Sequence, residues 1–99
     1  MFKIRKAEPD EYTEIEKIFE AQGLENTKNG VEIFKGYSVE TLNKLIGGAE
    51  IMFQDGEYTF SVAVDDGYKG QGIGKSLFQL VKKEIRGLGA KRIMIQAKV

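Results

Sequence analysis

Apolar residues recur along this sequence at spacings that predict strands and helices in turn. Residues 2–7 (FKIRKA) alternate between apolar and polar side chains, which predicts a strand. Pro9 suits the first turn of a helix, and Gly23 can end that helix. Between them, four apolar side chains fall on one helical face: Tyr12, Ile15, Ile18 and Phe19. The chain therefore opens with a strand followed by an amphipathic helix.

The segment between residues 24 and 48 is the hardest to interpret. Residues 26–30 (NTKNG) have the composition of a loop, and residues 31–34 fit either a short strand or part of that loop. Ser38 is a good helix cap and Gly47-Gly48 can close a helix, so we expect a short helix between them. Its buried side chains would be Leu42, Leu45 and Ile46.

The second half of the chain gives clearer patterns. Residues 49–53 and 58–64 are apolar runs around an Asp-Gly pair in residues 54–57, which is a strong signal for a β-hairpin. A second amphipathic helix follows, with apolar side chains at helical spacing: Ile73, Leu77, Leu80, Val81, Ile85 and Leu88. Residues 92–97 then predict a last strand.

The order strand, helix, helix, hairpin, helix, strand predicts one α/β domain over residues 1–99, with a mixed sheet flanked by helices. The last strand–helix–strand unit should be a right-handed parallel crossover. Hydrophobic residues make up 41% and charged residues 30% of the sequence, as in ordinary globular proteins. No apolar run approaches the roughly 20 residues of a membrane span, and the first residues lack the apolar core of a secretory signal. We therefore expect a cytoplasmic protein.

The sequence contains no cysteine and no histidine. That excludes disulfides, thiolate zinc sites, cysteine nucleophiles and histidine bases, so we expect no metal. Acid–base chemistry would have to use carboxylate, lysine, tyrosine, the chain termini or ordered water.

Charge is divided unevenly along the chain. Residues 1–66 hold seven Lys/Arg and fourteen Asp/Glu, whereas residues 67–99 hold eight Lys/Arg and one Asp/Glu. The basic third can attract phosphates, or it can be a solvated helix face. A nucleic acid is the less favoured partner, because no aromatic stacking residues are interleaved with the basic ones. Those basic residues are Lys82, Lys83, Arg86, Lys91 and Arg92.

Three alternating glycines stand immediately before the second amphipathic helix: Gly70, Gly72 and Gly74. A strand, a glycine-rich turn and a helix can bind phosphate, because backbone N–H groups converge at the positive end of the helix dipole. A purely structural strand–helix turn is the alternative. One residue separates the second and third glycines, where a dinucleotide fingerprint needs two. The spacing of a P-loop is also absent.

The loop and its surroundings resemble the acetyl-CoA motif of the GNAT acetyltransferase superfamily, whose pattern is Arg/Gln-x-x-Gly-x-Gly/Ala after a strand ending in a small residue and Val. Residues 62–68 (VAVDDGY) lead into residues 69–74 (KGQGIG). The likeness continues through residues 75–78 (KSLF) and 87–93 (GLGAKRI), and it is close over residues 57–97.

This resemblance implies that acetyl-CoA is the cosubstrate. Its pyrophosphate would lie on the backbone of Lys69, Gly70, Gln71, Gly72, Ile73 and Gly74. Backbone groups of Val62 and Val64 would meet the pantetheine as in strand addition. Lys75 and Ser76 would begin the helix and face the phosphates. Lys69 stands where the family has Arg or Gln, so it keeps a charge without a planar fork and predicts weaker binding.

Two elements of the family are expected to be absent. The short turn between Phe53 and Tyr58 leaves no room for a further strand there, so a central strand should be missing. The sequence also stops at Val99, before the family's next helix and two strands, and no residue matches the tyrosine that protonates the leaving thiolate. Glu57 and Tyr58 are weak candidates for the base, although Glu57 also fits an exposed hairpin residue.

The resemblance implies an N-acetyltransferase that moves acetyl from acetyl-CoA to a primary amine of a small molecule or peptide. The alternative is an acyl-CoA-binding regulatory or interaction module with weak or no catalysis, and the acceptor cannot be read from the sequence. The open edge of the last strand predicts a homodimer. The alternative is a monomer in which Lys91, Arg92 and Lys98 blunt that edge.

Overall fold

A five-stranded sheet with two helices forms the domain, and the computed structural model describes residues 2–24, 32–54, 56–89 and 93–99. The strands and helices are β1 (Lys3–Lys6), α1 (Tyr12–Ala21), β2 (Glu32–Thr41), β3 (Lys44–Gln54), β4 (Glu57–Val64), α2 (Ile73–Gly87) and β5 (Ile93–Lys98). Short 3-10 turns precede each helix, at Pro9–Glu11 and Asp66–Tyr68.

The strands lie in the order β1-β2-β3-β4-β5. The first three pairings are antiparallel, and β5 joins β4 in parallel after α2. The expectation of an α/β fold with a mixed sheet flanked by helices is confirmed, and so is the parallel pairing of the last unit. No helix within the described residues is long and apolar enough to cross a membrane.

The expectation of a short helix after Ser38 is wrong, because β2 and β3 form a hairpin there. Leu42 and Asn43 make its two-residue turn with φ angles of 49° and 63°. Positive φ at both positions gives a turn whose twist matches the flanking strands. Leu42, expected to be buried, is 96% exposed, whereas Ile46 is buried within β3.

Gly47 and Gly48 lie inside β3 and do not close a helix. A Cβ on Gly48 would come within 2.8 Å of Ile15 Cγ2, so the absence of a side chain lets α1 approach the sheet closely. The expectation of a missing central strand is also wrong, since β2 and β3 are long strands that precede β4, and β3 pairs with β4 directly. Residues 32–34 belong to β2, and the expected loop at 26–30 lies outside the described residues.

The helices pack on opposite faces of the sheet. The side chains of β4 show this, since successive residues of a strand point to opposite faces. Ala63 belongs to the buried cluster around α1. Val62 and Val64 belong to the larger cluster around α2. The two cores therefore meet at β4, with side chains of one strand contributing to both.

Two groups of ion pairs hold β1 and β2 against their neighbours. Arg5 in β1 donates to both oxygens of Glu11, at 2.7 and 2.6 Å, and also contacts Glu40 in β2 at 3.3 Å. On the other face, one oxygen of Glu84 in α2 accepts from Lys35 Nζ at 2.8 Å and from Tyr37 Oη at 2.9 Å. The first group joins β1, β2 and the turn before α1, and the second holds α2 against β2.

The Glu11 carboxylate gives the fold a pH dependence. The hydrogen bonds from Arg5 lower the pKa of Glu11 from 4.5 to about 2. Because folding lowers this pKa, the stabilisation is complete above the unfolded pKa near 4.5 and is lost as pH falls toward 2.

We expect Glu11→Gln to lower the free energy of unfolding by about 1 kcal/mol at neutral pH, since the site is partly open to solvent. It should also flatten the loss of stability between pH 5 and pH 2, roughly the interval that the lowered pKa sets. Thermal unfolding across this pH range measures both effects, with Glu20→Gln on the exposed side of α1 as control. An unchanged pH profile for Glu11→Gln would contradict this assignment.

Candidate functional site

The position of the turn between β4 and α2 is fixed by hydrogen bonds at the end of β4. The amide of Asp65 donates to the carbonyl of Ile46 in β3 at 2.8 Å, which fixes where the strand ends. The Asp65 side chain accepts from the amide of Gly67 at 3.3 Å and caps the 3-10 turn. The chain therefore reaches the glycine-rich loop from a fixed point at the centre of the sheet.

Two of the loop's glycines have backbones that L-residues rarely adopt. Gly70 has φ 82° and Gly72 has φ 81°, and a Cβ at either position would meet no atom of the described residues within 4 Å. The space in front of them is therefore open to a ligand. Positive φ at two of these positions also explains why glycine is used there.

The first turn of α2 supplies donors to the same space. The first helical hydrogen bond runs from the amide of Ser76 to the carbonyl of Gly72, at 3.1 Å. The amides of residues 73–75 precede it, so they have no acceptor within the helix. The first turn contains no acidic residue, and Lys75 adds a positive charge. This end of α2 therefore favours an anion.

A cavity of about 130 Å³ opens between the loop and the end of β5. Its lining is Val64, Tyr68, Lys69, Gly70, Gly72, Ile73, Gly74, Lys75 and Val99. Pockets for drug-sized ligands measure roughly 300–1,000 Å³, so a cavity of this volume suits a smaller group such as a pair of phosphates. Size, amides and charge thus fit the pyrophosphate of coenzyme A.

Lys69 is among the residues that line the cavity, and its ammonium lies against two residues that do not line it. It contacts Gln22 Oε1 at the end of α1 and Asp66 Oδ1 at 3.1 Å. Gln22 Nε2 also donates to Asp66 Oδ1 at 3.1 Å. Hydrogen bonds from Gln22 and then Lys69 lower the pKa of Asp66. We call Lys69, Gln22 and Asp66 the Lys69 cluster. The cluster links the loop to the end of α1, and it holds the Lys69 ammonium against residues that do not line the cavity.

The structure brings together seven of the ten residues that the sequence suggested for acetyl-CoA, as members of the cavity lining. Gln71, Ser76 and Val62 are not among the residues that line it. Tyr68 and Val99 were missed. Tyr68 follows directly from the turn before the loop, but Val99 is 25 positions from Gly74, and no sequence signal connects the two.

Val62 and Val64 differ in how accessible their backbones are. Val62 pairs with Ala49 in β3 and with Ala97 in β5, so both edges of β4 are occupied there. Val64 pairs with Gly47 in β3 and lies beyond the last pair with β5. On the β5 side, the described register therefore leaves the backbone of β4 unpaired beside the loop, at Val64.

Glu57 and Tyr58 lie at the opposite end of β4 from the loop. Seven residue steps of about 3.3 Å place Glu57 roughly 23 Å from Val64 along the strand. Both side chains are half-buried, and the Tyr58 ring lies 4.8 Å from that of Phe53. The structure thus separates these base candidates from the cavity. Within the described residues, no group of three or more carboxylates could hold a metal ion.

The sequence pattern of the acetyltransferase (GNAT) family matches residues 2–99, nearly the whole chain. This chain belongs to the GNAT family. The match includes the glycine-rich loop and both helices of the GNAT domain, so the resemblance noted from residues 57–97 is confirmed and extended to the first strand.

Solved structures with the same fold support the architecture. A GNAT family acetyltransferase from Brucella melitensis, in complex with acetyl-CoA, aligns with a TM-score of 0.73 at 21% identity, over 100% of this chain and 77% of that one. An aminoglycoside acetyltransferase from an uncultured soil metagenomic sample gives 0.66 at 19%, over 98% and 78%. A ribosomal-protein-alanine N-acetyltransferase from Brucella melitensis biovar Abortus 2308 gives 0.68 at 11%, over 98% and 81%. No curated protein matches this sequence.

The open space at Gly72 gives a direct test of the cavity in this GNAT domain. We expect Gly72→Leu to weaken acetyl-CoA binding by at least about ten-fold, because a side chain would enter the space that the phosphates need. Gly56 is a matched control, since it has φ 80° and equally open surroundings in the β3–β4 turn. Calorimetry should show near-normal binding for Gly56→Leu, and equal losses for both variants would indicate backbone strain alone.

Proposed function

We propose that this GNAT domain is an N-acetyltransferase that moves the acetyl group of acetyl-CoA to a primary amine. The cavity at the start of α2 carries the proposal, because its glycines, helix amides and Lys75 together suit a pyrophosphate. Family membership supports acetyl transfer in general. We expect the domain to act in the cytoplasm.

The domain's own residues would act mainly by binding and orientation. Backbone groups of residues 70–74 would hold the pyrophosphate, and Val64 would offer its backbone to the chain that extends from it. Bound acetyl-CoA supplies an activated thioester, which an amine can attack directly. Holding the two reactants in place contributes much of the rate in such a reaction. Glu57 and Tyr58 remain candidates for proton transfer at the far end of β4.

The class of acceptor amine is indicated by the fold and by the distribution of charge, and not by any one side chain. Solved structures with this fold include an aminoglycoside acetyltransferase and a ribosomal-protein-alanine N-acetyltransferase. Residues 1–66 carry seven more acidic than basic residues, which favours a positively charged acceptor. We therefore propose a cationic amine on a small molecule or a peptide.

A second candidate function is an acyl-CoA-binding module with weak or no catalysis. One observation favours it: β5 is paired with β4 up to Ala63 and Lys98, and the cavity has room for phosphates but not for a whole acyl-pantetheine. Such a module would bind coenzyme A without turning it over.

Binding and turnover measurements separate the two candidates. Calorimetry with acetyl-CoA should show binding, and an assay of free thiol release should show turnover with at least one amine of a panel of aminoglycosides, polyamines and peptides. Glu57→Gln tests the base candidate: we expect roughly ten-fold or more loss of kcat with unchanged acetyl-CoA affinity if it takes the proton. Binding without release for any amine would favour the module, and no binding would exclude both candidates.

We also propose that two copies of the domain associate through β5. This strand is last in the sheet order, and Met94 and Ile95 are 57% and 53% exposed. An apolar groove of about 260 Å³ runs beside it, and its lining is Phe60, Phe78, Val81, Lys82, Ile85, Ile93 and Ile95. Within the described residues no strand pairs with the outer edge of β5, and such an edge beside an apolar groove invites a self-complementary contact about a two-fold axis.

Sedimentation at increasing concentration should therefore show a monomer–dimer equilibrium. Ile95→Lys should shift it to the monomer by placing a charge in the contact, while Lys83→Glu on the exposed part of α2 should not. A wild-type protein that stays monomeric at high concentration would contradict the dimer, and the edge would then be protected by charges such as Lys98.

A further inference from the structure

The hairpin of β2 and β3 extends past the end of β4. The last pair between β3 and β4 joins Gly47 to Val64, whereas β3 begins three residues earlier, at Lys44. Three residue steps of about 3.3 Å carry the hairpin roughly 10 Å beyond that pair. β2 follows β3 to the same end, since Thr41 pairs with Lys44. The tip of the hairpin therefore lies beside the turn that follows β4.

Lys44 lies on the face of the sheet that α2 covers. Successive side chains of a strand alternate between faces, and Leu45 packs with the core around α1 while Ile46 is buried in the core around α2. The Lys44 ammonium lies 5.8 Å from the centre of the Tyr68 ring, which is within the range of cation–aromatic attraction. Within the described part of the chain, no carboxylate forms an ion pair with this ammonium.

Tyr68 connects the hairpin to the cavity. Its side chain is half-buried, packs against the core around α2 and is one of those that line the cavity. Contacts with the core and with Lys44 both restrict the ring, although Tyr68 belongs to a short turn between β4 and α2. The ring is thus a fixed part of the cavity wall.

The positive charge of Lys44 also reaches the cavity. Of the two lysines that line the cavity, Lys69 has its ammonium held in the Lys69 cluster, so Lys75 is the other source of charge in the lining. The distance from the Lys44 ammonium to the centre of the Tyr68 ring is shorter than the Debye length of about 10 Å at 0.1 M salt. An anion beside that ring therefore interacts with a charge that salt screens only in part.

We propose that Lys44 is a positioning residue for the phosphates of acetyl-CoA, which holds Tyr68 as a wall of the cavity and adds a positive charge behind that wall. The inference rests on the proposed function for the identity of the anion. It gives the β2–β3 hairpin a role in ligand binding that lies outside the pattern of the glycine-rich loop.

Substitution of Lys44 tests this role in calorimetry. Lys44→Gln should weaken acetyl-CoA binding about three-fold to five-fold, whereas Lys44→Arg should bind normally, since a guanidinium also packs on an aromatic face. Inorganic pyrophosphate, measured by competition with acetyl-CoA, should lose the same factor. A loss confined to acetyl-CoA would place the effect of Lys44 on another part of the ligand and would overturn the proposal.

A double-mutant cycle tests whether Lys44 acts through Tyr68. In a Tyr68→Leu background, Lys44→Gln should weaken binding by a smaller factor than in the wild-type protein, because the ring that it positions is gone. Equal factors in the two backgrounds would overturn the positioning role.

The matched control is Lys6→Gln, which removes the same charge from an exposed position in β1, three strands away from β4 in the sheet. This variant should bind acetyl-CoA normally. Wild-type affinity in Lys44→Gln, or an equal loss in Lys6→Gln, overturns the inference and leaves the proposed function intact. Absence of acetyl-CoA binding by the wild-type chain overturns both.

Discussion

The position of β4 between β3 and β5 is the constraint on which the rest of this structure depends. Its backbone is paired on both sides, and its side chains enter both cores, with Ala63 toward α1 and Val62 toward α2. The amide of Asp65, bonded to Ile46, fixes the end of the strand. The glycine-rich loop begins there, so the cavity inherits its position from the most constrained strand of the sheet.

The elements that depend on a local pattern of residues could be predicted from the sequence. α2 has a long apolar stripe, and the Asp-Gly turn between β3 and β4 is specified by neighbouring residues. The hairpin of β2 and β3 could not be predicted, because Leu42 and Leu45 also fit a helix, and a Leu-Asn turn lacks the usual glycine. What decides in favour of strands is pairing with β1 and β4, which are distant in the sequence.

The same distinction applies to the site. Gly70 and Gly72 can be identified from the sequence, because they stand directly before a helix and match the loop pattern of the family. Lys69 is identified by its position, yet the direction of its ammonium depends on Gln22, which follows the last residue of α1. Val99 reaches the cavity only because β5 runs parallel to β4. The donors of the site can thus be predicted from the sequence, whereas the groups that hold the Lys69 ammonium and the place of Val99 in the cavity lining cannot.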